Sequence, residues 1–189
     1  MRLDEFSGAP KLRTLYVKRP LLNGEQFRAW AKSQGFTSTL PAADLHVTIA
    51  YSKEPVDWRK VKPHEDKLVV EGGERRIEVL GKDAITLVFA EPRLHARWAE
   101  LIDDAGCSWD YPGYKPHVTI SYEGKGIKPS KLDPYTGPLV FGPEILNEVD
   151  ENWSDDVVED PLTDVETRSL AEAMRAMLGS LRAPLGGNL

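Results

Sequence analysis

The sequence predicts a two-lobed α+β fold, with antiparallel sheets, one helix in each lobe and a central cleft. The main observation is a repeat: His-Val-Thr-Ile occupies residues 46–49 and again residues 117–120. A helical pattern precedes each copy and is joined to it by a loop. Short β-rich segments lie between the two copies. Because both halves contain the same helix, loop and strand order, we expect related halves whose motif strands lie near one another.

The first half begins with a strand and a helix. Residues 14–19 (TLYVKR) alternate between apolar and polar side chains, which predicts a strand. The next segment predicts a helix over residues 25–34 that ends at Gly35 and has Phe27 and Trp30 on one apolar face. A loop (FTSTLPAAD) leads into the first motif strand, and DWRKVK after that strand predicts a short helix.

The second half begins with three short strands. The segment KLVVEGGERRIEVLGKDAITLVFA is broken by Gly72-Gly73 and by residues 81–83, which predicts hairpin turns and a meander. A helix with a proline at its start is predicted from Pro92 onward, because apolar side chains then follow helical spacing. It leads to the second motif strand, and final strands are predicted over residues 139–141 and 145–149.

Charge divides the chain near residue 150. Residues 1–149 carry 21 acidic and 21 basic side chains, whereas residues 150–189 carry 9 acidic and 3 basic ones. We therefore predict one domain over residues 1–150 and an acidic tail over residues 151–189. Within the tail, LTDVETRSLAEAMRAMLGSLR has the spacing of an amphipathic helix, and we expect that helix to pack on the body or on a partner protein.

Composition excludes several kinds of partner. A neutral body without a basic block argues against binding long DNA or RNA, although a small ligand with a few phosphates needs only a local positive site. The sequence contains neither a long apolar run nor a signal peptide, so no membrane association is expected. The single Cys107 excludes an intramolecular disulfide and a cysteine-based zinc site, which favours a cytoplasmic protein.

The repeated motif places an imidazole and a hydroxyl on the same side of each strand. Side chains two residues apart in a strand share a face, so His46 and Thr48 lie together, while Val47 and Tyr51 are expected on the opposite face. In the second copy His117 and Thr119 share a face, and Ser121 is expected beside them. Two such strands side by side would line a cleft with two histidines and two threonines.

These residue types suit the cleavage of a phosphoester. Two histidines with pKa values near neutrality can act as a base and an acid, and threonine hydroxyls can stabilise charge on the phosphate oxygens. Neither copy lies near an acidic ligand cluster or an HExxH pattern, so we expect no metal and no other cofactor. His64 and His95 lack a hydroxyl partner in a repeated pattern and are assigned to the surface or to packing.

The paired HVTI motifs resemble those of the 2H phosphoesterase superfamily, over roughly residues 12–150. Within it, the segments TLYVKRPLLN, LPAADLHVTIAYSKEPVDW and YKPHVTISYE resemble phage anti-CBASS nucleases, which destroy cyclic oligonucleotide signals of bacterial immunity such as cGAMP. The resemblance implies the 2H phosphoesterase fold. It also implies that His46 and His117 are the acid/base pair and that Thr48 and Thr119 hold the phosphate.

The resemblance further implies substrate contacts by Tyr16 on the first strand and by Glu148 and Trp153 after the last strands. Independently of the resemblance, the loop CSWDYPGYKPH before the second motif is rich in aromatic residues, and we expect Tyr114 within it to stack on a base. A core position is an open alternative for the ring of Tyr16 and for the aromatic residues of this loop, and Trp153 would alternatively anchor the tail.

The leading hypothesis is therefore a metal-independent phosphodiesterase that hydrolyses 3',5' linkages of cyclic di- or trinucleotides and acts in the cytoplasm of an infected bacterium. A second hypothesis is a phosphodiesterase for 2',3'-cyclic RNA ends, which the same four motif residues would serve. Two functions without catalysis also fit the sequence: a sponge that binds the cyclic nucleotide without cleaving it, and a structural or assembly module of a phage particle. In such a module the tail helix would contact a second copy or another phage protein.

Overall fold

The computed structural model describes residues 12–124, residues 126–163 and residue 175. Two helices and ten strands lie in these ranges, and each helix precedes a motif strand, as predicted. The helices are α1 (Gly24–Ser33) and α2 (Pro92–Asp103). The strands are β1 (Leu12–Pro20), β2 (Ser38–Thr39), β3 (His46–Asp57), β4 (Leu68–Val70), β5 (Arg75–Leu80), β6 (Ala84–Phe89), β7 (His117–Ser121), β8 (Leu139–Phe141), β9 (Ile145–Asn147) and β10 (Asp160–Pro161).

The central feature is a six-stranded antiparallel sheet with the order β5-β6-β7-β3-β1-β9. The two motif strands, β3 and β7, are neighbours in this sheet, with Val47 opposite Val118. Strands β5, β6 and β7 lie on one side of this β3–β7 junction, and β3, β1 and β9 lie on the other. The late strand β9 thus crosses to pair with β1, at the edge formed by the first half of the chain. This arrangement confirms the predicted α+β class and the predicted proximity of the two motif strands.

Two smaller sheets correct the predicted meander. Strands β5 and β6 form the expected hairpin, but β4 pairs with β8 and not with β5. The reason is burial: β4 (LVV) and β8 (LVF) bring together apolar side chains such as Leu139 and Phe141, both 0% exposed. The third sheet pairs β10 with β2. The predicted short helix after β3 is a single 3-10 turn, Trp58–Lys60, capped by the side chain of Asp57.

One face of each motif strand is buried in the hydrophobic core. The buried side chains on this face join a single core with apolar residues of both helices: Val47, Ile49, Val118, Ile120, Phe27, Leu94 and Leu101. The helices pack with their predicted apolar faces inward. The opposite faces of β1, β3 and β7 are thus left to carry the polar side chains of the motifs, and we call this side of the sheet the site face.

The region predicted as an acidic tail contains ordered contacts with the body. Residues Trp153–Asp156 form a 3-10 turn, β10 pairs with β2, and Leu162 is 2% exposed. The amphipathic helix predicted farther along falls almost entirely outside the described residues. No helix within the described residues has the length and apolar character needed to span a bilayer.

Candidate active site

A β-bulge follows the same position in both motif strands. On β1, consecutive residues Val17 and Lys18 pair with Ala50 and Thr48, so β3 has one extra residue at Ile49. On β6, consecutive residues pair with Ser121 and Thr119, so β7 has one extra residue at Ile120. A bulge of this kind inserts an unpaired residue and reverses the alternation of side chains beyond it.

The bulges correct the orientations that strict alternation predicts beyond each isoleucine. Strict alternation predicts Tyr51 opposite His46, but Tyr51 lies on the site face, where its ring meets the ring of Tyr16 at a centroid distance of 5.8 Å. Alternation also predicts Ser121 beside His117, but Ser121 turns inward and is 1% exposed. Tyr122 takes the place on the site face that the second bulge creates. Each motif therefore places a histidine, a threonine and a tyrosine on the site face.

The two histidines are held in the same tautomer. Nδ1 of His46 lies 2.5 Å from the carbonyl oxygen of Asp44, and Nδ1 of His117 lies 2.8 Å from that of Lys115. A carbonyl oxygen only accepts, so Nδ1 carries the proton in both rings. In the neutral imidazole, Nε2 is then the nitrogen with a lone pair, and it is the atom available for proton transfer on the site face.

The register of the strands brings the four motif side chains together. With Val47 opposite Val118 in an antiparallel pair, His46 faces Thr119 and Thr48 faces His117. Opposed side chains in such a pair have Cβ atoms about 4.5–5.5 Å apart, and diagonal neighbours are about 7–8 Å apart. The two imidazoles are therefore diagonal neighbours on one face, each beside a threonine of the other motif.

Tyr16 connects the first histidine to its threonine. The Tyr16 hydroxyl lies 2.7 Å from Nε2 of His46 and 3.1 Å from Oγ1 of Thr48. Since Nε2 of neutral His46 can only accept, the tyrosine donates to it and accepts from Thr48. Burial raises the pKa of Tyr16 to about 12, so the phenol remains protonated and stays a donor at neutral pH.

Burial is the main influence on both histidines. It lowers the pKa of His46 and of His117, because a cation loses more hydration than a neutral ring when solvent is removed. The Asp44 and Lys115 carbonyls oppose this by accepting from the protonated ring. Lys18 lowers the pKa of His46 further. The neutral ring is the favoured form in both positions.

The charged neighbours of the two histidines differ. Lys18 lies on the site face of β1, opposite Thr48, with its ammonium 5.7 Å from the centroid of the Tyr16 ring. Near His117 the ammonium of Lys115 is paired with Glu78 at 2.7 Å; the ammonium lowers the pKa of His117, and the carboxylate opposes this to a smaller extent. The first histidine thus faces a cation and the second faces an ion pair.

Trp153 lies beside the second motif. Its ring is 43% exposed and packs against Tyr122 at a centroid distance of 5.7 Å. Burial raises the pKa of Tyr122, and the nearby Thr119 hydroxyl opposes that rise. A cavity of about 280 Å³ opens at this place, lined by Tyr122, Glu123, Trp153, Ser154, Val157 and Glu159.

The remaining predicted contact residues take different places. Tyr114 is 8% exposed among Trp98, Trp109 and His95, and its hydroxyl donates to the backbone carbonyl of Thr48 at 2.8 Å. Its ring therefore supports β3 from the core, and the loop that carries it does not present it for stacking. The Glu148 carboxylate is more than half exposed and forms an ion pair with Arg13 at 3.1 Å.

Three residues of the site are not identified by the sequence analysis. Tyr51 and Tyr122 follow the two motifs at the same distance, and this repetition is a usable signal that strict alternation conceals. Glu159, which binds the end of β7, has no signal because it lies in the acidic segment beyond residue 150. Among the described residues, no three His, Cys, Asp or Glu side chains are grouped as a metal site would require.

Comparison with known proteins identifies related sequences. The model of the family described as "Anti-CBASS protein Acb1" matches residues 13–156. Proteins of that description from Caulobacter sp. (strain RHG1) and Sphingomonas paeninsulae are 47% and 48% identical, over 79% and 75% of this chain. This chain spans about a quarter of their length, 25% and 24%. One from Acinetobacter phage Ac42 is 27% identical over 68% of this chain and 85% of its own length.

Solved structures share the fold. LigT of E. coli in complex with NADP+ superimposes with a TM-score of 0.51 at 17% identity, covering 79% of this chain and 94% of that one. LigT in complex with 3'-AMP gives 0.50 at 14% identity, with 80% and 95% covered. At these identities the likeness concerns the fold, and it confirms the predicted 2H phosphoesterase fold.

Proposed function

The chain belongs to the Acb1 family of anti-CBASS proteins, and from this membership we propose that it is a metal-independent phosphodiesterase acting on cyclic di- and trinucleotide immune signals. It hydrolyses their 3',5' linkages in the cytoplasm of an infected bacterium. The observation that carries the proposal is the pair of histidines on adjacent strands, both with Nδ1 bound to a carbonyl, so that Nε2 is the nitrogen that exchanges a proton.

His46 is the general base in this mechanism. Its Nε2 has one lone pair, which accepts from the Tyr16 hydroxyl in this structure, and the attacking ribose 2'-hydroxyl or water takes the place of that hydroxyl. As the attacking oxygen forms its bond to phosphorus, its proton moves to Nε2 of His46. Burial and, to a smaller extent, Lys18 favour the neutral ring, which is the form a base requires.

His117 is the general acid. In its protonated form Nε2 donates to the leaving ribose oxygen as the second phosphorus–oxygen bond breaks, so the proton lost at one oxygen is balanced by the proton gained at the other. Burial lowers the pKa of His117, and so does the Lys115 ammonium, whereas the Lys115 carbonyl and the Glu78 carboxylate favour the protonated ring. The hydroxyls of Thr48 and Thr119 donate to the non-bridging oxygens and stabilise the charge that develops there.

The bases of the substrate stack on aromatic rings at both sides of the histidines. Trp153 and Tyr122 form one wall, and Tyr16 with Tyr51 forms the other. A stacked base contributes about 1–3 kcal/mol in single-stranded nucleic acid complexes. Glu148 lies exposed after β9, and it contacts the substrate once its ion pair with Arg13 is broken.

The test is an incubation of the purified chain, with EDTA present, against cyclic di- and trinucleotides and an RNA ending in a 2',3'-cyclic phosphate. Mass spectrometry identifies linear products. We expect cleavage of the cyclic oligonucleotides and a loss of about 10²–10⁴-fold in His46→Asn and His117→Asn. The matched control is His95→Asn, which removes an exposed histidine on α2 and should retain full activity.

Several results would redirect the proposal. Cleavage of the RNA end alone would make the chain an RNA-end phosphodiesterase, and retention of intact cyclic nucleotide would make it a sponge. Activity that disappears with EDTA and returns with a divalent cation would contradict the metal-independent mechanism. Full activity in either motif variant, with its fold verified, would contradict the two-histidine mechanism.

We also propose that the segment after residue 163 contacts a second copy of the chain or another phage protein. A truncation should begin at residue 164, because Leu162 is buried in the body. Loss of self-association or of incorporation into particles, with turnover unchanged, would support this role. An unchanged association state in the truncated chain would contradict it.

A further inference from the structure

We infer that Glu159 is a positioning residue of the active site, because its carboxylate fastens the segment that carries Trp153 to the end of strand β7. We call residues 148–163 the strap. The inference rests on the proposed function, since it concerns the wall on which a substrate base would stack. It adds a residue beyond the matched range of the family, which ends at residue 156.

The Glu159 carboxylate accepts hydrogen bonds from four donors. One oxygen accepts from the amides of Tyr122 and Glu123, at 2.6 and 3.1 Å, and from the hydroxyl of Ser121 at 2.8 Å. The other accepts from the hydroxyl of Ser38 at 2.6 Å and from Ser121 at 3.0 Å. A carboxylate suits this place because it has only acceptors, and charge-assisted bonds of this kind are the stronger ones.

The contacts of Glu159 with β7 lie directly after the bulge at Ile120. That bulge turns Ser121 inward to Glu159 and Tyr122 outward to Trp153. Glu159 therefore holds the backbone of Tyr122 on one side and the strap on the other. This one side chain thus links the backbone of Tyr122 to the strap that carries Trp153, and it also lines the cavity beside them.

The strap has anchors that do not involve Glu159. Arg28 is 0% exposed and donates to the carbonyls of Asp160 and Pro161 at 3.4 Å. The amide of Leu162 donates to Thr37 at 3.0 Å, and Val149 donates to Thr14 at 3.0 Å. Because both ends stay fixed, loss of the Glu159 contacts should loosen the middle of the strap without unfolding the domain.

The experiment compares Glu159→Gln with Glu151→Gln, which removes the same charge from an exposed position on the same strap. Amide hydrogen exchange is measured over residues 119–124 and 150–158, and the melting temperature reports the fold. We expect faster exchange in both segments for Glu159→Gln only. Glu159→Asp keeps the carboxylate and should restore part of the protection.

Kinetics with a cyclic dinucleotide show whether the position of the Trp153 ring affects substrate binding. We expect KM to rise about tenfold in Glu159→Gln, on the scale of a lost stacking interaction, with kcat nearly unchanged because the histidines are untouched. Should this variant fail to fold, Ser38→Ala and Ser121→Ala remove the donors one at a time and should raise KM and exchange in the same direction.

The outcomes separate this inference from the proposed function. Unchanged exchange in Glu159→Gln would overturn the inference, as would faster exchange with KM and kcat both unchanged. A fall in kcat alone would also overturn it, because positioning of a base acts on binding. If the parent chain cleaves no cyclic nucleotide, the proposed function fails, whereas the exchange data still decide whether Glu159 holds the strap.

Discussion

The two histidine motifs share the same local backbone geometry but lie beside different strands. In both, Nδ1 binds a carbonyl two residues earlier, a threonine shares the site face, and a bulge at the isoleucine brings a tyrosine onto that face. The neighbouring strands then differ. His46 lies beside β1, which supplies the Tyr16 hydroxyl and the Lys18 ammonium.

His117 lies beside β6, and no described residue hydrogen-bonds its Nε2. On the side of β6 the position opposite Thr119 is Thr86, which is buried and donates to the backbone of Glu78. The comparison teaches that the carbonyl two residues before each histidine fixes the tautomer of the ring in the same way in both motifs. In the proposed mechanism, the strand next to each copy distinguishes the base from the acid.

The largest expected effect comes from a substrate whose leaving oxygen is replaced by sulfur. A thiol has a pKa of about 8.5, far below that of an alcohol, so a thiolate leaves without help from an acid. His117→Asn should therefore recover most of its lost rate on the sulfur substrate, whereas His46→Asn should not. For each variant, the recovery is measured as the ratio of the single-turnover rate on the sulfur substrate to that on the oxygen substrate. Recovery in His46→Asn alone would reverse the assigned roles.

A smaller effect is expected from Tyr16→Phe, which removes the hydroxyl shared by His46 and Thr48. We expect kcat/KM to fall about two- to tenfold, the scale of one net hydrogen bond. Tyr51→Phe is the matched control, because that ring lies on the same face but its hydroxyl approaches only the carbonyl of Asp150, at 3.5 Å. Equal losses in both variants would show that the hydroxyl of Tyr16 does not act through the histidine.

The smallest effect is a shift in pH dependence from Lys18→Met. The pKa of His46 lies below its usual value, mainly through burial and further through Lys18, so removing the ammonium should raise it. A base must be neutral, and kcat/KM therefore increases as pH rises through this pKa; in the variant the increase should occur at higher pH. Lys53→Met, whose lysine is paired with Asp110, is the control. Titration of His46 by NMR checks the direction, and a shift to lower pH would contradict the electrostatic role of Lys18.

Much of this arrangement could be predicted from local sequence. The helices over residues 24–33 and 92–103 follow from apolar spacing, and the shared face of His46 and Thr48 follows from strand alternation. The position of Tyr114 could not, because an aromatic residue in a loop can serve a ligand or a core equally well. The pairing of β4 with β8 also depends on a contact between segments far apart in the chain.

The sequence by itself determined the chemistry of the candidate site: two histidines and two threonines, repeated in strands that follow helices, with the resemblance to the 2H phosphoesterases. The tertiary structure decided their surroundings. A bulge is defined by the register with a partner strand, and so the faces of Tyr51, Ser121 and Tyr122 became readable only in the assembled sheet. Glu159 joins the site through contacts 36 to 121 residues distant in the chain, and local sequence carries no information about such contacts.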